Sequence, residues 1–167
     1  MWGKAGSPII VDDRVVVSVG GGTDASLIAY DIATGEQAWA AGDRRSSYAT
    51  PVLAELAGVR QIVVVNENAV TGHRAEDGEV LWEHPWPGSS DTNASNSQPV
   101  PVGGDRVFLS KSYGEGAELI AIAPGEDGRL ASTSLWKNKS VMRTKMGNVV
   151  VRDGHVYGLN EGILQCI

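Results

Sequence analysis

Three polar stretches hold most of the side chains that could do chemistry. They are Asp43 to Tyr48, His84 to Ser97, and Lys137 to Lys145. Arg44, Arg45, Arg143 and Lys145 supply cations, while Tyr48, Asn96 and Gln98 supply neutral hydrogen-bonding groups. Gathered on one surface, these seven would suit an anionic or sugar-like ligand, or a partner protein. Scattered, they are ordinary solvated loops. Other candidates read as structural. His73, His84 and His155 have no metal-ligand spacing and no Ser or Cys elbow beside them. Gly20-Gly21-Gly22 lacks the Lys-Ser/Thr and following helix of a phosphate loop, so it reads as a long hairpin. Asp12-Asp13 and Asp127-Gly128 fall where turns are expected.

Composition narrows the classes. The chain has 167 residues, a net charge of −6 and an apolar fraction of 42%. An acidic balance gives no electrostatic footprint for nucleic acid. No apolar run reaches the ~18–20 residues of a membrane helix. Met1 to Gly6 lacks the apolar core of a signal peptide. The single cysteine, Cys166, excludes an intrachain disulfide and a multi-cysteine zinc site. Gly is over-used at 21 residues, and Trp outnumbers Phe by 5 to 1, which suggests many tight turns and a Trp in a fixed role.

The elements that position the polar stretches follow from an internal repeat. Gly35-Glu36 and Gly78-Glu79 each lie just before a tryptophan, and Trp39 and Trp82 are 43 residues apart. Pro8 and Pro51, each opening an apolar run, share that offset. A third unit runs from Pro99 through Leu119-Ile120-Ala121-Ile122 and Asp127-Gly128 to Trp136, with an insertion before the Trp. A fourth begins at Gly147. Asp-Gly-type turns at 12–13, 103–105 and 153–154 join two apolar runs in their units, and the second unit uses the longer Glu55–Arg60. The first unit predicts strands near 8–11, 14–19, 26–31 and 36–40. Four short antiparallel strands at this spacing predict an all-β fold, a β-propeller of four-stranded blades. The predicted blades are 7–42, 49–84, 97–138 and an incomplete 147–167, forming one partial propeller over 1–167.

Ala29, Asp31, Thr34, Gly35 and Trp39 together resemble the tryptophan-docking motif of PQQ-type (quinoprotein alcohol dehydrogenase-like) propellers, a family that includes the propeller lipoprotein of outer-membrane barrel assembly. The second unit keeps Gly78 and Trp82, with Gly72 at the small position. The third keeps Gly128 and Trp136, with Ile122 at the small position. The small residue is expected to let a neighbouring blade's ring approach, and each Gly to form the turn before the fourth strand. Cys166 falls in the same small column and reads as an inert core cysteine rather than a nucleophile.

The resemblance implies seven or eight blades, so the chain reads as part of a longer propeller, with a small closed four-blade ring as the alternative. In a propeller the three polar stretches share one face, where Arg44, Arg45, Tyr48, Asn96, Gln98, Arg143 and Lys145 converge as ligand contacts. The expected role is a non-catalytic binding or scaffold module for a protein or a small polar ligand, and the missing blades of the parent chain are further partners. No catalytic, cofactor or metal residue is assigned. Two alternatives are a quinoprotein dehydrogenase using PQQ with calcium, and an accessory propeller of a carbohydrate-active protein. No cofactor is expected in this segment outside the first alternative. Export to the periplasm or cell surface is implied for the parent. Trp86 stands outside the repeat and reads either as an exposed anchor for a partner or as a plug for its own loop.

Overall fold

The computed structural model describes residues 5–20, 25–89 and 94–167. Trp2 and the Gly21-Gly22 part of the glycine run lie outside them. Among the described residues fifteen strands form four antiparallel sheets, each in simple sequence order. The first holds β1 (Ile9–Val11), β2 (Arg14–Ser18), β3 (Leu27–Asp31) and β4 (Gln37–Ala41). The second holds β5 (Val52–Leu56), β6 (Val59–Val65), β7 (Ala69–Arg74) and β8 (Val80–Pro85). The third holds β9 (Val100–Gly103), β10 (Arg106–Lys111), β11 (Gly116–Pro124) and β12 (Leu130–Asn138). The fourth holds β13 (Val150–Arg152), β14 (His155–Asn160) and β15 (Ile163–Cys166). The architecture is all-β, and these sheets are successive blades of a partial propeller. No helix among the described residues is long and apolar enough to cross a membrane.

Turn chemistry explains the strand ends. Asp12, Asp105 and Asp153 carry positive φ in the first hairpin of their sheets, a conformation that short polar side chains tolerate. In the second sheet Ala57 and Gly58 take that role with φ of 51° and 72°. The longer connection expected there is longer strand instead, because Leu56 pairs directly with Val59. The turn between β3 and β4 is built by Asp31. Its Oδ1 accepts from the Ala33 and Thr34 amides and the Thr34 hydroxyl, and Gly35 follows with φ of 72°. Asp77 and Asp127 supply a shorter version, each accepting from an amide two residues on, Glu79 and Arg129.

The core lies between sheets. Val16, Leu27, Ala29 and Trp39 pack with Ile62, Val64 and Ala75 across the first interface. Val63, Val65, Trp82 and Trp86 pack with Leu109, Ile120 and Ile122 across the second. Phe108, Ala117, Met142 and Val149 form a smaller third cluster. Both faces of the second sheet are therefore covered, which accounts for the unbroken apolar run Ile62–Val65.

The tryptophans correct two sequence expectations. Each small residue faces the Trp of its own sheet rather than a neighbour's ring. Ala29 pairs with Trp39 and Gly72 with Trp82, each beside a β-bulge. A Cβ on Gly72 would sit 2.2 Å from Trp82 Nε1. The neighbouring sheet instead contributes the turn glycine, since a Cβ on Gly78 would meet Trp39 Cε3 at 2.6 Å. In the third sheet the residue opposite Trp136 is Leu119, not Ile122, because the insertion lengthens β11 and β12 into a nine-residue hairpin. Cys166 does occupy the register position of Ala29, opposite Tyr157, but it is exposed rather than in the core, because no described strand lies beyond β15.

Trp39→Ala is expected to cost about 3–5 kcal/mol in urea unfolding. Gly72→Ala should cost clearly more than Gly128→Ala. A Cβ on Gly128 meets nothing within 4 Å, which leaves only the positive-φ penalty of about 1–2 kcal/mol. Equal losses for the two glycine variants would show that Trp82 is not seated on Gly72.

Candidate functional site

Four antiparallel strands per sheet send every connection between sheets to one side, together with the turns between second and third strands. The seven residues singled out in the sequence lie in or beside these connections. The structure ties most of them into the joints. Arg44 donates from Nε and Nη2 to Glu83 at 2.7 and 2.8 Å, and its backbone exchanges two bonds with the Ser26 hydroxyl. The Tyr48 amide donates to Ser95 O, and the Gln98 amide to Asn148 Oδ1. Asn96 Nδ2 donates to Lys145 O at 2.7 Å, which is the direct link between two of the seven. Arg143 donates to Asn160 Oδ1 and pairs with Glu161 at 3.3 Å. Arg45 reaches Glu67 only at 4.0 Å and is exposed, as is Lys145. Beside Lys145 stands Met146, 77% exposed.

A second constellation on this side was not singled out in the sequence. Trp86 is fully buried, so it is a plug and not an exposed anchor. Two ammonium groups face its ring, Lys111 at 5.6 Å and Lys137 at 5.2 Å from the centroid. Lys111 is itself buried and donates to Trp86 O and Ser95 Oγ, both at 3.0 Å. Lys137 pairs with Glu115 at 2.7 Å and Glu118 at 3.1 Å. His84 Nε2 lies 3.1 Å from Glu118 Oε1, and its Nδ1 lies 3.1 Å from Ser132 Oγ. This network pins the loop after β8 to the far edge of the third sheet. One signal for it was present in the sequence. Glu118 sits inside an otherwise apolar strand run, where a charge needs a partner.

The burial shifts both charges. Burial pulls Lys111 down to about 8, helped by Lys137 and opposed by Glu115. For Glu118, burial alone would raise the pKa. The hydrogen bonds from His84, Ser134 and Lys137 outweigh it and bring the carboxyl down to about 2. Among the described residues no three His, Cys, Asp or Glu side chains group as metal ligands. The arrangement can do two things chemically. It locks the loop backbone, and it leaves Arg45, Lys145 and Met146 among the exposed groups of the face.

Between pH 4.5 and about 2 the unfolded chain binds the proton that folded Glu118 refuses, so stability is lost as pH falls through that window. Glu118→Gln is expected to destabilise by about 3 kcal/mol at neutral pH, with the loss shrinking toward pH 2, in melts followed by circular dichroism. A loss that stays constant from pH 7 to pH 2 would disprove the assignment.

Comparison with known proteins adds the following. A family model described as outer membrane protein assembly factor BamB matches residues 3–167. The sequence has no significant match among curated proteins. Among solved structures, the chain is similar to the crystal structure of BamB from Moraxella catarrhalis, with a TM-score of 0.67 and 15% identity. The match covers 97% of this chain and 49% of that one, so the chain spans about half the length of that relative. At this identity the likeness shows the shared fold.

Proposed function

The chain belongs to the PQQ-like propeller family whose model is described as outer membrane protein assembly factor BamB, and from that premise we propose that it is an exported, non-catalytic scaffold that binds a protein partner through its connection face. The observation that carries this reading is the state of that face. Its backbone is held by side-chain ties between sheets, as in Arg44–Glu83, Asn96–Lys145 and Arg143–Asn160. A face stiffened this way binds without first losing loop entropy. On it Arg45, Lys145 and the 77% exposed Met146 are exposed, with Met146 the chain neighbour of Lys145. That combination fits an acidic protein surface with an apolar centre better than a small anion, because Arg44 and Arg143 already face carboxylates. The family model's description supports a partner from outer-membrane protein assembly. We further propose that this segment holds no PQQ.

A photo-crosslinking residue at Met146, in the full-length protein in its host, is expected to yield a discrete protein adduct. The same residue at Ile32, on the opposite side of the sheets and 51% exposed, should not. Charge reversal at Arg45 and Lys145 should remove the adduct. Equal adducts from both positions, or none from Met146, would overturn the reading. Adding PQQ and calcium should leave the absorbance spectrum unchanged, and a cofactor band would return the quinoprotein alternative.

A further inference from the structure

Among the described residues four buried side-chain polar atoms lack a hydrogen-bond partner: Ser18 Oγ, Trp39 Nε1, Asn66 Oδ1 and Glu118 Oε2. Glu118 Oε2 is ion-paired with Lys137 at 3.1 Å. The other three all lie in the joint between the first two sheets. Paired residues of neighbouring strands share a face. Ser18 pairs with Leu27 and Trp39 with Ala29, and Leu27, Ala29 and Trp39 pack against Ile62 and Val64 of the second sheet. Ser18 therefore faces that sheet. Asn66 stands two residues beyond Val64, and its Nδ2 donates to Thr71, the strand partner of Val64. Asn66 therefore faces the first sheet. Both residues stand at the connection end of their strands, β2 and the run that follows β6.

Turning the Asn66 amide over does not repair its oxygen. Gly78 O can only accept, so His73 Nδ1 carries the ring proton in the 3.0 Å contact between them. Burial keeps that ring neutral, so Nε2 accepts, and its donor is the Thr71 hydroxyl at 2.9 Å. Thr71 Oγ1 has no second proton to give, and it accepts from Asn66 Nδ2 at 3.0 Å. The amide oxygen must point the other way, fully buried and in need of a donor. The next joint serves as an internal control. By register from the residues opposite Trp82 and Trp136, Val65 and Lys111 hold the places of Ser18 and Asn66 there. Val65 carries no polar side-chain atom, and Lys111 donates to Trp86 O and Ser95 Oγ. Neither place leaves an orphan in the second joint.

We propose that the first joint is a binding site for an internal water molecule that bridges the two sheets. The water oxygen accepts from the Ser18 hydroxyl and the Trp39 indole N–H, and one water proton goes to Asn66 Oδ1. Two donors and one acceptor match the valences of a single water, which typically makes about three hydrogen bonds when buried. Three polar groups left unpaired in an apolar joint would be costly, and one neutral molecule removes all three costs. A metal ion suits the two oxygens but not the indole N–H, which can only donate. Asn66 also forms a backbone bridge with Ser46, and the Glu67 amide donates to Arg45 O. The water thus lies under the segment that presents Arg45. The site stands or falls independently of the partner proposed for the connection face.

The test reads the water by nuclear magnetic resonance at the Trp39 indole proton, in the full chain carrying isotope-labelled tryptophan. Cross-relaxation with a long-lived water is expected at that proton. Ser18→Ala should shorten the water's residence time about tenfold, the effect of one lost hydrogen bond. Ser18→Val, which copies Val65, should abolish the signal, with both variants keeping the parent circular dichroism spectrum. A high-resolution crystal structure of the unaltered chain, grown in rubidium chloride, does not depend on the variants. It should show a water oxygen within hydrogen-bond distance of Ser18 Oγ, Trp39 Nε1 and Asn66 Oδ1, with no anomalous peak. The absence of a long-lived water at Trp39, or a signal untouched by both folded variants, would overturn the proposal. So would a direct protein donor on Asn66 Oδ1, or a rubidium peak at the site, which would assign a cation there instead.

Discussion

Trp39 lying against Gly78 is the contact on which the arrangement of sheets depends. A four-stranded sheet has two apolar faces and no layer of its own to cover them, so each must find its neighbour. The Trp does this with one large ring that its own sheet accepts at a small residue and the next sheet accepts at a glycine. Only glycine fits both demands of the turn, the positive φ and the approach of the ring. The indole nitrogen sets a further condition, because it prefers a partner when buried. Trp82 donates to Gln61 Oε1, whereas the Trp39 nitrogen has no partner among the described residues. The difference follows from register. Arg14 holds the place of Gln61 in the first sheet, and its guanidinium goes outward to Glu76 O. The first joint thus trades one hydrogen bond within the sheet for one between sheets.

Where that contact is lost, polar chemistry replaces it. At the second joint Gly128 has no ring against it, because the longer β11–β12 hairpin carries its turn away. The tie there is the network of His84, Glu118, Lys137 and Lys111 around Trp86. Such a network costs desolvation that an apolar joint does not, so its worth lies in fixing one geometry rather than in net stability. The first joint has a polar thread as well. Asn66 donates to Thr71, Thr71 meets His73 Nε2 at 2.9 Å, and His73 Nδ1 meets Gly78 O at 3.0 Å. Burial lowers the His73 pKa, so the ring stays neutral and the thread depends on one tautomer. It ends on the glycine that supports Trp39, which couples the connection side of the sheets to the turn side.

The sequence showed the repeat because repeats are periodic and turns have few solutions. Gly35 and Gly78, with Trp39 and Trp82 at one offset, are enough to place strands and sheets. The same logic failed where an insertion changed the period. Aligning the units puts Ile122 in the small column, while the bulge between Leu119 and Ile120 decides the true partner. Periodicity could not place Trp86, since a loop tryptophan has no register, and only the two lysines around it show that it is a plug. The seven polar residues were found as a group from their shared place in the connections. Their partners were not legible, because Glu83, Glu161 and Asn160 belong to strands or turns that the chain folds back from elsewhere.

The same economy of parts bears on binding. Arg44 and Arg143 look like ligand cations in a list of residues, yet each holds a joint and has a carboxylate of its own. A charge already matched within the protein adds little to a small anion's affinity, because the ligand must compete with an existing partner that pays no association entropy. Recognition on this face therefore falls to shape and to the few open groups, and that favours a macromolecular surface large enough to reach several of them at once.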